Sequence, residues 1–177
     1  MAVVSLDQQR KSPAEAAIWQ LLEEVPDPEV PVLTILDLGV VRSVAVAEDG
    51  GIRIGVTPTY SGCPATAAIN MAIRDRLLQA GHESVTIDTI LAPAWTTDWI
   101  SKDGKRKLRD YGIAPPVGTA AGEGVGRGTL FGADPDVPCP HCGSAHTEKV
   151  SEFGSTACKA QYRCTDCLEP FEYFKCI

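Results

Sequence analysis

The sequence predicts an α+β chain, with α/β as the alternative while strand directions are open: a small α-β-β-α-β-α domain, then a short cysteine-rich β unit. Three observations predict it. Apolar residues recur at helical and strand spacings through the first 112 positions, periodicity is lost in a Pro- and Gly-rich stretch over 113–138, and two C-x-x-C pairs follow. The expected divisions are therefore 1–112, a linker over 113–138, and 139–177.

Composition bounds the classes. A chain of 177 residues with 44% apolar content suits one ordinary domain plus something small. A formal charge of -7 and a pI near 4.9 argue against nucleic acid or an anionic membrane as the main partner, since both require a basic face. No leader-like start and no run of about 18 apolar residues is visible, so a soluble cytoplasmic protein is expected. Six of the seven cysteines lie from position 139 onward, four of them in C-x-x-C pairs, which in a cytosolic chain reads as metal binding before disulfides.

The first helix is expected over 12–24. Ser12 with Glu15 forms a capping box, Pro13 takes the first helical position, and Ile18, Leu21, Leu22 and Val25 make an apolar stripe. Pro26, Pro28 and Pro31 then hold an extended loop. Its carboxylates, Asp27 and Glu29, bind a partner, cap backbone, or are solvated loop charges. Val40, Val41, Val44 and Val46 predict a strand, Glu48-Asp49-Gly50-Gly51 a hairpin turn, and 52–56 the returning strand.

That strand runs into Thr57-Pro58-Thr59-Tyr60-Ser61-Gly62-Cys63-Pro64, which delivers one thiol to a helix start. Backbone N–H groups and the helix dipole favour a thiolate there, the form that binds metal or attacks electrophiles. A cysteine in this place also serves as a small buried apolar group. The helix carries Ala65, Ala68, Ile69, Ala72, Ile73, Leu77 and Ala80 on one face and stops at Gly81, where His82 reads as a surface histidine. A third strand over 84–91 has either direction. Trp95 and Trp99 read as core or as an interaction anchor. Lys102, Lys105, Arg106, Lys107 and Arg109 lie on a third helix that Asp103-Gly104 weakens; their charge is a solvated face or a dock for an acidic partner.

Cys139-Pro140-His141-Cys142-Gly143 and Cys164-Thr165-Asp166-Cys167 are two metal knuckles. Two intervening residues let both sulfurs of a pair face one ion, and the residues between the pairs fit two strands and a turn, with Phe171, Tyr173 and Phe174 on a third strand. This is a zinc ribbon in outline, with a four-thiolate site supplying folding energy that so short a unit lacks. Zinc is the expected metal and an iron-sulfur cluster the alternative. Cys158 and Cys176 are surplus: core thiols, alternative ligands or a second pair. His141 and His146 are near enough in sequence to substitute as ligands.

Asp27-Pro28-Glu29, Asp37-Leu38-Gly39, Thr57 with Gly62-Cys63-Pro64, and Pro93-Ala94-Trp95 together resemble the iron-sulfur assembly domain family that includes the bacterial SufT proteins, over about residues 13–112. More narrowly, the 95–116 segment and the tail over 153–176 resemble the PaaD family, whose members are encoded with the bacterial ring 1,2-phenylacetyl-CoA epoxidase. The resemblance implies a place in aerobic phenylacetate degradation, where the oxygenase carries a di-iron centre and the reductase flavin and a [2Fe-2S] cluster. It implies a non-catalytic accessory subunit serving maturation of that complex. On this reading Cys63, assisted by Asp27 or Glu29, transiently holds iron or a cluster, the oxygenase or reductase component receives it, and a homodimer is allowed. A thiol-dependent redox enzyme using Cys63 and a purely structural interface subunit are the alternatives.

Overall fold

A computed structural model describes residues 12–60, 62–118 and 135–176. Contacts divide the chain into units of 1–95 and 96–177.

The first unit opens with α1 (Pro13–Leu22), started as expected by Ser12, whose Oγ accepts from the Glu15 N–H at 3.1 Å with Pro13 next in line. Ile18, Leu22 and Val25 are buried, and so is Trp19, which the expected stripe omitted. Strands β1 (Val41–Val46) and β2 (Ile52–Val56) form the expected hairpin, and α2 (Ala65–Gln79) crosses to β3 (Val85–Thr89). Strand β3 runs parallel to β2, in the order β1-β2-β3, so the 28-residue gap between Val56 and Val85 is the crossover that a parallel pair requires. On α2 the buried residues are Ala65, Ile69, Ile73 and Leu77, a strict four-residue step. Ala68 and Ala80, expected on that face, are exposed, because one row at i, i+4 spacing already covers the narrow sheet. At Gly55 in β2 a Cβ would meet the side-chain ends of Ile90 and Ser43, so a larger residue there must push both aside.

The second unit is larger than the cysteine segment. It contains a short 3-10 turn (Thr97–Trp99), α3 (Lys102–Asp110) and β4 (Ile113–Ala114), then β5 (Thr147–Ser151), β6 (Lys159–Cys164) and β7 (Pro170–Phe174) in a sheet ordered β4-β7-β6-β5. The helix counted with the first domain on sequence therefore falls in this unit, and Ile113–Ala114, counted as linker, is a strand parallel to β7 on which α3 packs. The reason is burial: Leu108, Ile113 and Ala114 are all buried, and Ala114 joins Val137, Tyr162, Phe171 and Tyr173 in one core. The remaining linker residues 119–134 lie outside the described residues. Ser101 caps α3 by accepting from the Gly104 N–H at 2.8 Å, which offsets the weak Asp103-Gly104 turn. Lys159 is buried and pairs with Glu172 at 2.8 Å across β6 and β7. Among the described residues no helix is long and apolar enough to cross a membrane.

Candidate metal centre and the Cys63 turn

Cys139 and Cys142 stand on a tight turn ahead of β5, and Cys164 and Cys167 on the turn that ends β6. The first turn closes through Gly143 N–H to the Cys139 carbonyl at 2.9 Å and Cys139 N–H to the Ser144 carbonyl at 2.9 Å. In the second, the Cys167 N–H points at the Cys164 sulfur at 3.5 Å. The four Sγ atoms lie within 4.8 Å of one another, with Cys139–Cys167 at 3.7 Å and Cys142–Cys164 at 3.6 Å. A tetrahedral ion with metal–sulfur bonds of about 2.3 Å has sulfur–sulfur edges of about 3.8 Å. The donor set thus fits a single tetrahedral thiolate-bound ion.

The protons point the same way. Backbone N–H groups of Cys167 and Asp166 pull the Cys164 thiol down to about 7 against its burial. The Glu169 N–H also pulls on Cys167, but burial and the neighbouring sulfurs prevail and push that thiol up to about 12. Four thiols this close cannot all ionise unaided; a bound cation reverses the balance for the whole set.

Two features of the site were not legible beforehand. The knuckles are braced by Asp166, which accepts from the Ser144 hydroxyl at 2.5 Å and meets His146 Nδ1 at 3.1 Å. Those contacts, Ser144 first and then His146, hold the Asp166 carboxyl below its usual range. His146 is thus a brace; neither it nor His141 belongs to the gathered ligand set. The available signal was position, since Asp166 sits inside one pair and Ser144 and His146 just after the other. The second feature is the backbone at Leu168, which follows the second cysteine of its pair with φ of 66°; Gly143, the residue type that permits such a turn, takes the matching place after the first pair with φ of 78°. Left-handed backbone costs a residue such as leucine roughly 1–2 kcal/mol, and Leu168 is 61% exposed, so packing does not repay it. Glycine removes that strain but gives back about 0.5–1 kcal/mol in unfolded-state freedom. Leu168→Gly is therefore expected to leave the unit as stable or up to about 1 kcal/mol more stable by denaturant midpoint, whereas a clear loss would mean that the leucine side chain holds something.

In the first unit Cys63 is half-buried, two residues ahead of α2. Its N–H donates to the Tyr60 carbonyl at 3.2 Å, its carbonyl accepts from Thr66 N–H at 3.2 Å, and Gly62 before it has φ 84°. Pro64 is the N-cap of α2 and makes no side-chain cap hydrogen bond, so Cys63 immediately precedes the helix's N-terminal end. Asp27 is buried and its Oδ1 accepts from the N–H groups of Glu29 at 3.0 Å and Val30 at 2.7 Å. That is backbone capping, one of the roles expected for it; Glu29 is half-buried. Among the described residues, the only gathering of three or more metal-ligand groups is the four-cysteine set, so Cys63, Asp27 and Glu29 do not form one. Asp37 repeats the capping at Thr34, and Trp95 is buried with its Nε1 donating to the Leu38 carbonyl at 2.9 Å. Cys158 is buried with its thiol 3.0 Å from the Thr156 hydroxyl, and Cys176 lies 3.5 Å from the Thr97 hydroxyl.

The chain is 52% identical over 160 residues to an Escherichia coli (strain K12) protein named as the D component of 1,2-phenylacetyl-CoA epoxidase, covering 90% of this chain and 92% of that one. The chain belongs to that family, PaaD. Two domain families match within it: an iron-sulfur cluster assembly protein family over residues 15–89 and the PaaD zinc beta ribbon domain over 125–175. A protein of Porphyromonas gingivalis named Fe-S protein maturation auxiliary factor is 34% identical over 95 residues, which is 53% of this chain and 90% of that protein. The crystal structure of a domain of unknown function, DUF59, from Bacillus anthracis superposes with a TM-score of 0.51 at 28% identity, covering 54% of this chain and 91% of that one. The first unit of this PaaD family member thus has the fold of that domain, and a metal ribbon follows it.

Proposed function

We propose that this chain is a non-catalytic accessory subunit that helps mature the ring 1,2-phenylacetyl-CoA epoxidase, assisting delivery of iron or an iron-sulfur cluster to the oxygenase or reductase component in the cytoplasm. The observation that carries the reading is the joining, in one chain, of a unit similar to iron-sulfur maturation factors with the PaaD ribbon. Cys63 is the residue we assign to transient holding of the cargo: its thiol is not fully buried and stands on the turn two residues ahead of α2. The buried, capping Asp27 positions the loop, and the half-buried Glu29 of the same loop is the second carboxylate we assign to assist. The ribbon holds zinc through Cys139, Cys142, Cys164 and Cys167. Its sulfur separations suit one ion, whereas a cluster spreads its thiolates over several irons and so needs them further apart. When bound, zinc supplies folding energy and no turnover chemistry.

Iron and sulfide content of the epoxidase components, produced with and without this chain, tests the proposal. A marked shortfall of iron in one component without the chain is expected; equal content in all of them ends the reading.

A further inference from the structure

Helix α3 has three faces, and its own unit uses only two. At about 100° per residue, Asp103, Arg106, Lys107 and Asp110 share one arc and neutralise one another: Arg106 meets Asp103 at 2.6 Å and Asp110 at 2.8 Å, and Lys107 meets Asp103 at 3.2 Å. Gly104 and Leu108 occupy the second arc and are buried. Lys102, Lys105 and Arg109 fall within about 60° of one another on the third, and none of them has an ion-pair partner among the described residues. Lys102 and Arg109 are exposed.

Arg109 also lines a cavity of about 380 Å³ walled by Pro115, Pro116, Val117, Pro138 and Pro140. Proline has no N–H, so these walls offer ring methylenes and carbonyl oxygens; Arg109 is the one cationic residue among the lining, and Cys139 of the ribbon site lines the space as well. The volume lies within the range of small-ligand sites and suits an apolar side chain.

In a chain of net charge -7, three aligned cations without partners make a local inversion of sign, which selects an anionic partner and steers its approach. From Lys102 to Arg109 the helix rises about 10 Å, the span of about three extended residues. We propose that this strip and the cavity together dock an acidic extended segment of a partner protein, with carboxylates on Lys102, Lys105 and Arg109 and an apolar side chain among the prolines. A nucleic acid fits less well, since three cations on an acidic protein neutralise few phosphates and the apolar walls offer a backbone nothing. The proposal rests on the reading that this chain works on another protein, and not on metal passing through Cys63.

The test uses the full chain with its ribbon metal and a fluorescein-labelled peptide, Asp-Glu-Asp-Glu-Leu-Phe, followed by anisotropy. Expected is saturable binding at about 0.05 M salt that fades toward about 0.5 M. It should weaken at least about tenfold in Lys102→Gln/Lys105→Gln/Arg109→Gln and also when Leu-Phe is replaced by Gly-Gly. Metal stoichiometry in the triple variant checks its fold, and Arg109→Gln alone, expected to weaken binding severalfold, serves if the triple variant fails that check. Equal binding by wild type and the variant, equal binding of a lysine-substituted peptide or a single-stranded oligonucleotide, or a concentration-dependent doubling of mass that the triple change abolishes would each overturn it. If the epoxidase components keep their iron without this chain while the peptide still discriminates, delivery fails and this surface stands. The reverse pattern removes this surface alone.

Discussion

Cys142→Ser is expected to abolish stoichiometric metal binding and to dissolve the order of residues 135–176, while the unit that ends at Trp95 keeps its fold. Structural zinc contributes about 10–16 kcal/mol to small metal-bound units, more than the total stability of most domains. The core here cannot replace it, because two of its eight buried members, Cys139 and Cys164, are themselves ligands. Without the metal the four sulfurs keep only weak thiol contacts at 3.6–3.7 Å. Metal analysis together with amide NMR dispersion reads the outcome separately for the two units. Retained stoichiometric metal in the variant would sink the assignment. An intense visible absorption of the wild-type protein, lost with the same change, would instead place an iron-sulfur cluster at the ribbon.

Cys63→Ser is expected to cost little in stability and much in function. Both backbone groups of Cys63 are engaged in the turn and remain so with serine, replacing sulfur by oxygen changes volume little, and the side chain is only half-buried. A stability loss within the usual range of about 0.5–3 kcal/mol is expected, with ribbon metal unchanged. Epoxidase made beside the variant should nonetheless be inactive and short of iron in one component, compared at equal amounts of this chain. Fully iron-loaded, active epoxidase made beside Cys63→Ser would mean that the turn is architecture.

Where interactions are local, the sequence was a sufficient guide. Ser12 reaches an N–H three residues away, the hairpin between β1 and β2 turns on adjacent glycines, and each C-x-x-C pair closes within five residues. The metal set needed one inference beyond that, that two knuckles share an ion, and the sulfur distances agree. Asp27 and Trp95 were harder. Residue type allowed Asp27 to bind or to cap, and only the folded loop brings the N–H groups of Glu29 and Val30 to its oxygen. For Trp95, the deciding acceptor is the Leu38 carbonyl, 57 positions away.

By itself, then, the sequence determined the start of α1, the hairpin turn and the two C-x-x-C turns, because each depends on neighbours a few residues apart. Tertiary structure alone decided that β3 runs parallel to β2, that Ile113–Ala114 is a strand against β7, and that α3 belongs to the ribbon unit. Ile113–Ala114 followed by two prolines reads as linker, since two residues carry no periodicity and proline gives no donor. Its partner strand lies nearly sixty positions on, and pairing at that distance is set by the burial of both strands in a common core, which no local pattern records.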